Sequence, residues 1–199
     1  MVKEGLPFVI VPAVIALIFG FFQIWVAAAL FVLLAAFMAY FFRDPYRTVP
    51  EGDDIVVSAA DGKVTRVEDR DNGKFVSVFL SPVDVHINRS PIAGKVTQIE
   101  YIKGKKVPAM STEASLVNER NSLTITGEKM TVVCTQIAGI LARRIVCWAK
   151  PGDELGLGER FGLIKFSSRT DLLMPKEVEV LVAVGDRVVG GETVIARLQ

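Results

Sequence analysis

From Leu6 to Phe42, thirty-seven consecutive positions carry no Asp, Glu, Lys, Arg or His, and this stretch constrains the whole chain. As one straight α-helix it would run roughly 55 Å, nearly twice a hydrocarbon core of about 30 Å. Between Gly20 and Trp25 a glycine, the only polar residue of the stretch (Gln23) and an interface-type tryptophan fall together. A break there gives two spans of about seventeen residues, a membrane hairpin over residues 1–43. Such a hairpin returns Arg43 and Arg47 to the side of Lys3. The positive-inside tendency assigns that side to the cytoplasm. The expected location is therefore the cell membrane, with the rest of the chain on its cytoplasmic side. A cleaved signal peptide fits poorly, because no small-residue cleavage site ends a short isolated apolar core.

Residues 44–199 are different in texture. They hold 21 basic and 21 acidic residues, and the whole chain has a net charge of +1, so no positive excess exists to bind a phosphate backbone; nucleic acid is not an expected partner. Short Val/Ile/Leu-rich runs (Ile55 to Val57, Phe75 to Leu80, Thr131 to Ile137, Ile164 to Phe166, Val178 to Val184) alternate with Gly, Asp, Asn and Pro turns. The spacing predicts a mainly β domain, a compact barrel or sandwich. Leu141 to Val146 suits a brief helix or another strand. An internal echo, GDELGLGERFGLI from Gly152 and GDRVVGGETVIAR from Gly185, repeats Gly-Asp and Gly-Glu turns around a short strand. That pattern suggests pseudo-symmetric half-barrels of the lipoyl-like kind, although no Met-Lys-Met turn marks a carrier domain. Cys134 and Cys147 form no CxxC pair and read as small buried hydrophobes.

Candidate chemistry is sparse. His86 is the only histidine, inside SPVDVHINRSPIAG with Asp84, Asn88 and Arg89, and bounded by Pro82 and Pro91. Any imidazole acid–base step must use it. Two further polar clusters, SAADGKV (Ser58 to Val64) and NERNSLTI (Asn118 to Ile125), read equally as a turn and a solvated hairpin tip. A fourth, ERFGLIKFSSRTDLLMP, places hydroxyls after an apolar run and before Arg169 and Asp171. Ser168, His86 and Asp61 admit a hydrolase-type triad, but no Gly-x-Ser-x-Gly elbow is present. A non-enzymatic membrane-anchored adaptor and a membrane-bound serine hydrolase both stay open at this point. One histidine and scattered carboxylates offer no metal-ligand spacing.

The strings YFFRDPYRTVP, VSAADGKV, LSPVDVHINRSPIAGKV, NERNSLTI, QIAGILARRIVCW and GERFGLIKFSSRTDLLMP, in order from Tyr40 to Pro175, resemble the short, membrane-anchored branch of the phosphatidylserine decarboxylases, which includes archaetidylserine decarboxylases. The resemblance implies decarboxylation of a serine phospholipid, phosphatidylserine or its archaeal ether counterpart, to the ethanolamine lipid. It implies a covalent pyruvoyl group as electron sink, made when a serine hydroxyl attacks the preceding carbonyl and the chain is cut. By motif position that serine is Ser168 and the cut falls between Ser167 and Ser168. A β chain of 1–167 and an α chain of 168–199 would then form a heterodimer, with 44–199 as the catalytic domain. Asp61 matches the residue that assists self-cleavage, and His86 the one beside the substrate carboxylate and the carbon to be reprotonated.

Two positions depart from the family pattern. Arg89 stands where the longer branch has a second histidine, so either His86 serves both steps or strain and hydrogen bonding suffice. Ser167 stands where glycine is usual before the cleavage serine, which implies slower or blocked cleavage. Attack by Ser167 on the Phe166 carbonyl is the weaker registry. The sequence leaves oligomeric state open, a homo-oligomer included.

Overall fold

The structure, a computed structural model, describes residues 1–105, 107, 117–139, 144–166 and 168–199. It divides into two compact units, Met1–Tyr46 and Arg47–Gln199.

In the first unit a 3-10 turn (Lys3–Gly5) leads into α1 (Leu6–Phe21), and α2 (Trp25–Phe41) follows. The break falls where Gly20, Gln23 and Trp25 cluster: Gln23 is left-handed at φ 59°, and its N–H donates to Gly20 O at 3.0 Å. The two helices fold back on each other. Val2 N–H donates to Phe42 O (3.2 Å), and Phe19 stacks on Phe31 with ring centroids 5.6 Å apart. Large apolar side chains, among them Leu17, Phe21, Val26 and Leu33, face outward, as expected of a helix pair that is apolar on every face. The helical run Lys3–Phe21, with 19 residues and a mean hydropathy of 2.1, is long and apolar enough to cross a membrane; Trp25–Phe41 is a shorter apolar helix.

The second unit is mainly β. Its strands are β1 (Ile55–Val57), β2 (Gly62–Arg70), β3 (Gly73–Leu80), β4 (Ile87–Arg89), β5 (Gly94–Ile102), β6 (Arg120–Thr126), β7 (Thr131–Ala138), β8 (Arg144–Cys147), β9 (Glu154–Leu155), β10 (Arg160–Lys165), β11 (Ser168–Met174), β12 (Val178–Val180), β13 (Arg187–Val188) and β14 (Val194–Leu198). Among the described residues they form an eight-stranded sheet in the order β13-β2-β3-β11-β7-β6-β5-β9 and two three-stranded sheets, β4-β10-β8 and β1-β14-β12. The end of the Leu141 to Val146 run is strand β8, while Leu141, Ala142 and Arg143 lie outside the described residues. The Val178 to Val184 run is strand only to Val180, because Ala183 to Asp186 close a turn in which Ala183 N–H donates to the Asp186 carboxylate (2.8 Å).

The Gly-Asp echo has a structural counterpart. Its two short strands, β9 and β13, are the two edges of the eight-stranded sheet. Gly152 N–H donates to Val96 O and Gly185 N–H to Val64 O, while Val96 N–H donates to Asp153 O and Val64 N–H to Asp186 O, all at 2.8–2.9 Å. The strands they border begin alike, GKVTRVE from Gly62 and GKVTQIE from Gly94. Ahead of them Ser58 Oγ donates to Ala60 O and Ser90 Oγ to Ile92 O. The halves interlock reciprocally: Val57 N–H donates to Pro91 O and Arg89 N–H to Ala59 O, both at 2.9 Å. The unit is thus two half-barrels of one plan.

Cross-strand register sorts one face of the large sheet into lateral rows. Val76, Leu172, Cys134 and Leu123 form an apolar row, all buried. One pleat along, Val78, Thr170, Gln136 and Asn121 form a mixed row, and beyond it Leu80, Ser168 and Ala138 form the last. The apolar core therefore ends in a polar layer, and the candidate site begins there.

Candidate active site

Ser168 opens β11, hydrogen-bonded between Leu80 of β3 and Ala138 of β7 in the middle of the sheet. It is fully buried, and its Oγ finds no hydrogen-bond partner among the described residues. A buried hydroxyl without a partner is costly, and such groups ask for a chemical explanation. Phe166, two residues earlier, is left-handed at φ 63°. A bulky side chain there carries about 1–3 kcal/mol of backbone strain, and such strain clusters at functional sites. Ser167 lies outside the described residues.

His86 immediately precedes β4 and is buried (2% exposed). Its Nδ1 is 2.9 Å from Asp84 O. A carbonyl can only accept, so Nδ1 carries a proton and Nε2 is the nitrogen left for proton exchange. The loop bearing it is braced by Asp84, whose Oδ2 accepts from Ser81 N–H (2.8 Å) and Ser81 Oγ–H (2.6 Å), and whose Oδ1 is ion-paired to Arg187.

Packing brings His86 and Ser168 to the same end of the sandwich. Ile164 N–H donates to His86 O (3.2 Å), and Ile164 packs on Ala138, the register partner of Ser168. One pleat away, Asn88 lies opposite Gly162 and its Nδ2–H donates to Thr170 Oγ1 (3.1 Å). Residues 86 and 164 thus lie at the level of 138 and 168, and residues 88 and 162 at the level of 136 and 170.

Asp61 is at this end but elsewhere in it. The β2–β3 register continued by one step sets Gly62 opposite Leu80, so Asp61 lies beside a residue two strands, about 10 Å, from Ser168. Its Oδ1 accepts from Arg47 Nη2 (2.9 Å) and Gly190 N–H (2.8 Å), and its Oδ2 from Arg47 Nη2 (2.8 Å). The Asp61–Gly62 turn is therefore anchored by an ion pair. Arg89 Nη1–H donates to Gly158 O (3.0 Å) at the Gly-Glu turn of the first echo.

The NERN segment is no solvated tip: Asn118, Glu119 and Asn121 are buried. Asn118 Nδ2–H donates to Ala138 O (2.7 Å), which closes the end of β7 beside Ser168. On the opposite face of β11, Arg169 and Asp171 form a buried ion pair (2.9 Å), and Ser77 Oγ–H donates to the same carboxylate (2.6 Å). Burial pushes both thiols up, Cys134 most strongly, so neither is a thiolate nucleophile at neutral pH. Sequence reasoning passes over Arg47, Asn88, Gln136 and Thr170 as site residues. For Asn88, Gln136 and Thr170 the one sequence signal is polarity inside a strand, and Arg47, ahead of the first strand, carries none.

A buried serine at a strained strand start with an imidazole at the same end is the arrangement of an enzyme that works on an enclosed group. The sequence model described as phosphatidylserine decarboxylase matches residues 34–196. Proteins named phosphatidylserine decarboxylase proenzyme from Symbiobacterium thermophilum, Solibacter usitatus and Syntrophus aciditrophicus are 48%, 47% and 42% identical to this chain. The alignments cover 98%, 87% and 96% of it and 94%, 86% and 94% of the relatives. The chain belongs to the phosphatidylserine decarboxylase family. That family is one of carboxy-lyases, so the adaptor reading is set aside.

Proposed function

We propose that this protein is a membrane-anchored decarboxylase of phosphatidylserine whose electrophile is a pyruvoyl group made from Ser168 by self-cleavage. The observation that carries the reading is Ser168 itself: a fully buried hydroxyl with no hydrogen-bond partner among the described residues, two positions after a left-handed phenylalanine and level with the only histidine. Those features fit a side chain that is a reactant.

Ser168 Oγ attacks the Ser167 carbonyl carbon, and the peptide C–N bond breaks as the ester forms. Loss of the Ser168 α-proton then breaks the Cβ–Oγ bond and frees Ser167 as a carboxylate. Water replaces the remaining nitrogen, which leaves as ammonia, and the α chain begins with a ketone. When present, that carbonyl supplies the electron sink for the departing CO2, which no standard side chain offers. His86, with Nδ1 held by Asp84 O, exchanges the proton at the substrate carbon through Nε2. Asp61, ion-paired to Arg47 and about two strands from Ser168, supports the cut from that distance rather than by accepting the Ser168 proton directly. The cut chains stay together, because β11 is hydrogen-bonded on both sides to the β chain and β14 pairs with β1.

The relatives' names favour the diacyl lipid over the archaeal ether lipid. The apolar hairpin brings Lys3 and Arg43 to one end, which supports anchorage in the cell membrane with the catalytic unit in the cytoplasm. Intact-mass measurement of the purified chain is the test. A 32-residue fragment starting at position 168, with an end that borohydride or hydroxylamine traps, is expected. Ser168→Ala should give an uncut, inactive chain, and His86→Ala should depress turnover more than cleavage. A single uncut chain with full decarboxylase activity would refute the mechanism.

A further inference from the structure

A one-way chain of buried side-chain amides runs from the far half-barrel to the site. Asn121 Nδ2–H donates to Gln136 Oε1 (3.0 Å), Gln136 Nε2–H to Asn88 Oδ1 (2.8 Å), and Asn88 Nδ2–H to Thr170 Oγ1 (3.1 Å). All four side chains are at most 3% exposed. Three of them occupy the lateral row directly beneath Ser168, on β6, β7 and β11; the fourth, Asn88, lies on β4 in the sheet above.

We infer that this relay is a positioning device: it fixes β4, which His86 immediately precedes, over β11, which Ser168 opens. The inference rests on the reading above that these two residues act on the same substrate. Along the chain each relay residue lies two positions from the reacting one, 88 from 86 and 170 from 168. A hydrogen bond between Asn88 and Thr170 therefore sets the height and register of imidazole over serine. Strand β4 is only three residues long, so little backbone pairing holds it. Gly162, opposite Asn88, leaves room for the relay: a Cβ there would collide with Val146 O of the adjacent β8 and lie 3.0 Å from Gln136 Nε2 in the sheet below. Gln136 and Asn88 each bridge two buried neighbours, so a shift to a neighbouring register would leave buried amide groups unmatched.

The test uses the full chain in mixed micelles with phosphatidylserine. Gln136→Met keeps length and removes both bridging groups, and Thr170→Val removes only the last acceptor. Both variants should still be cut, with kcat reduced about tenfold to a hundredfold, KM within about twofold, and a displaced kcat–pH profile, since a displacement of about 1 Å at a reacting pair has effects of that order. Thr170→Ser should restore the rate, because it returns the hydroxyl without the methyl. Unchanged kcat and pH profile in either folded variant would overturn the inference. So would a rate loss that disappears on cooling below the variant's melting transition, because that is a stability effect alone. If Gln136→Met fails to accumulate, Thr170→Val decides the matter. A wild-type chain that is uncut and carries no terminal carbonyl would instead sink the functional reading, a result independent of the variants.

Discussion

The half-barrel that carries Asp61 and the one that carries Ala93 are built to one plan and closed differently. Both start from a serine that bonds the carbonyl two residues on, both continue Gly-Lys-Val-Thr, and both are bordered by a Gly-Asp turn. In the first, Asp61 is tied to Arg47 by side chains only 16% and 10% exposed. In the second, the matching Ala93 is exposed, and of the charges nearby Asp53 and Lys129 are paired at 2.8 Å with side chains 61% and 44% exposed. The same asymmetry reaches the sheet centre. There β11 stands beside β3 as β7 stands beside β6, yet β11 carries Arg169 and Asp171 where the matching register of β7 has Thr131 and Val133. Duplicated scaffolding supplies the shape, and buried charge has been placed in one copy.

The comparison can be broken first at the centre. Asp171→Ala strips Arg169, 1% exposed, of its counter-charge and should cost about 3–5 kcal/mol of stability. Thr135→Val, across the register, loses one hydroxyl contact and should cost about 1 kcal/mol. Guanidinium denaturation of the detergent-solubilised chain measures both, and equal midpoints would mean that β11 is not the privileged strand. Next comes the closing ion pair. Asp61→Ala should lose about 2–3 kcal/mol, because Arg47 is left nearly buried without its partner, while Ala93→Asp should stay within about 0.5 kcal/mol.

The smallest effect belongs to the exposed pair. The hydrogen bond from Lys129 holds the Asp53 carboxyl below its ordinary value of 3.8, and Asp53 in turn holds the Lys129 ammonium above its ordinary 10.5. A depressed carboxyl contributes above pH 3.8 and loses its contribution as the pH falls past that value; a raised ammonium contributes below pH 10.5 and loses its contribution as the pH rises past it. Lys129→Ala should move the Asp53 carboxyl titration, followed by NMR, back up towards 3.8 with almost no change in the denaturation midpoint. A midpoint shift as large as that of Asp61→Ala would put the two halves on an equal footing.

The parts of the architecture visible in the sequence are those written in local pattern. An uncharged run of fixed length with a Gly, Gln and Trp cluster marks the helical break, and turn residues around β-branched runs mark the strands. The Gly-Asp echo marks the sheet edges, and the GKVT pair marks the half-barrels more directly still. The arrangement around Ser168 is not local. Arg47 meets Asp61, Gln136 meets Asn88 and Asn118 meets Ala138 only because the fold brings together residues 14 to 48 positions apart. A polar side chain in a short motif reads alike whether it faces water or a buried neighbour, so Asn118 to Asn121 resembles a hairpin tip until register turns it inward.

Ser168 is already woven into the centre of a sheet on both flanks. A break just before it would turn an interior position into a terminus without giving that terminus freedom to move. The reactive group would be mounted on main chain, with no rotatable stem of the kind a lysine-bound prosthetic group has. Its aim would be set by the surrounding strands before any substrate arrives.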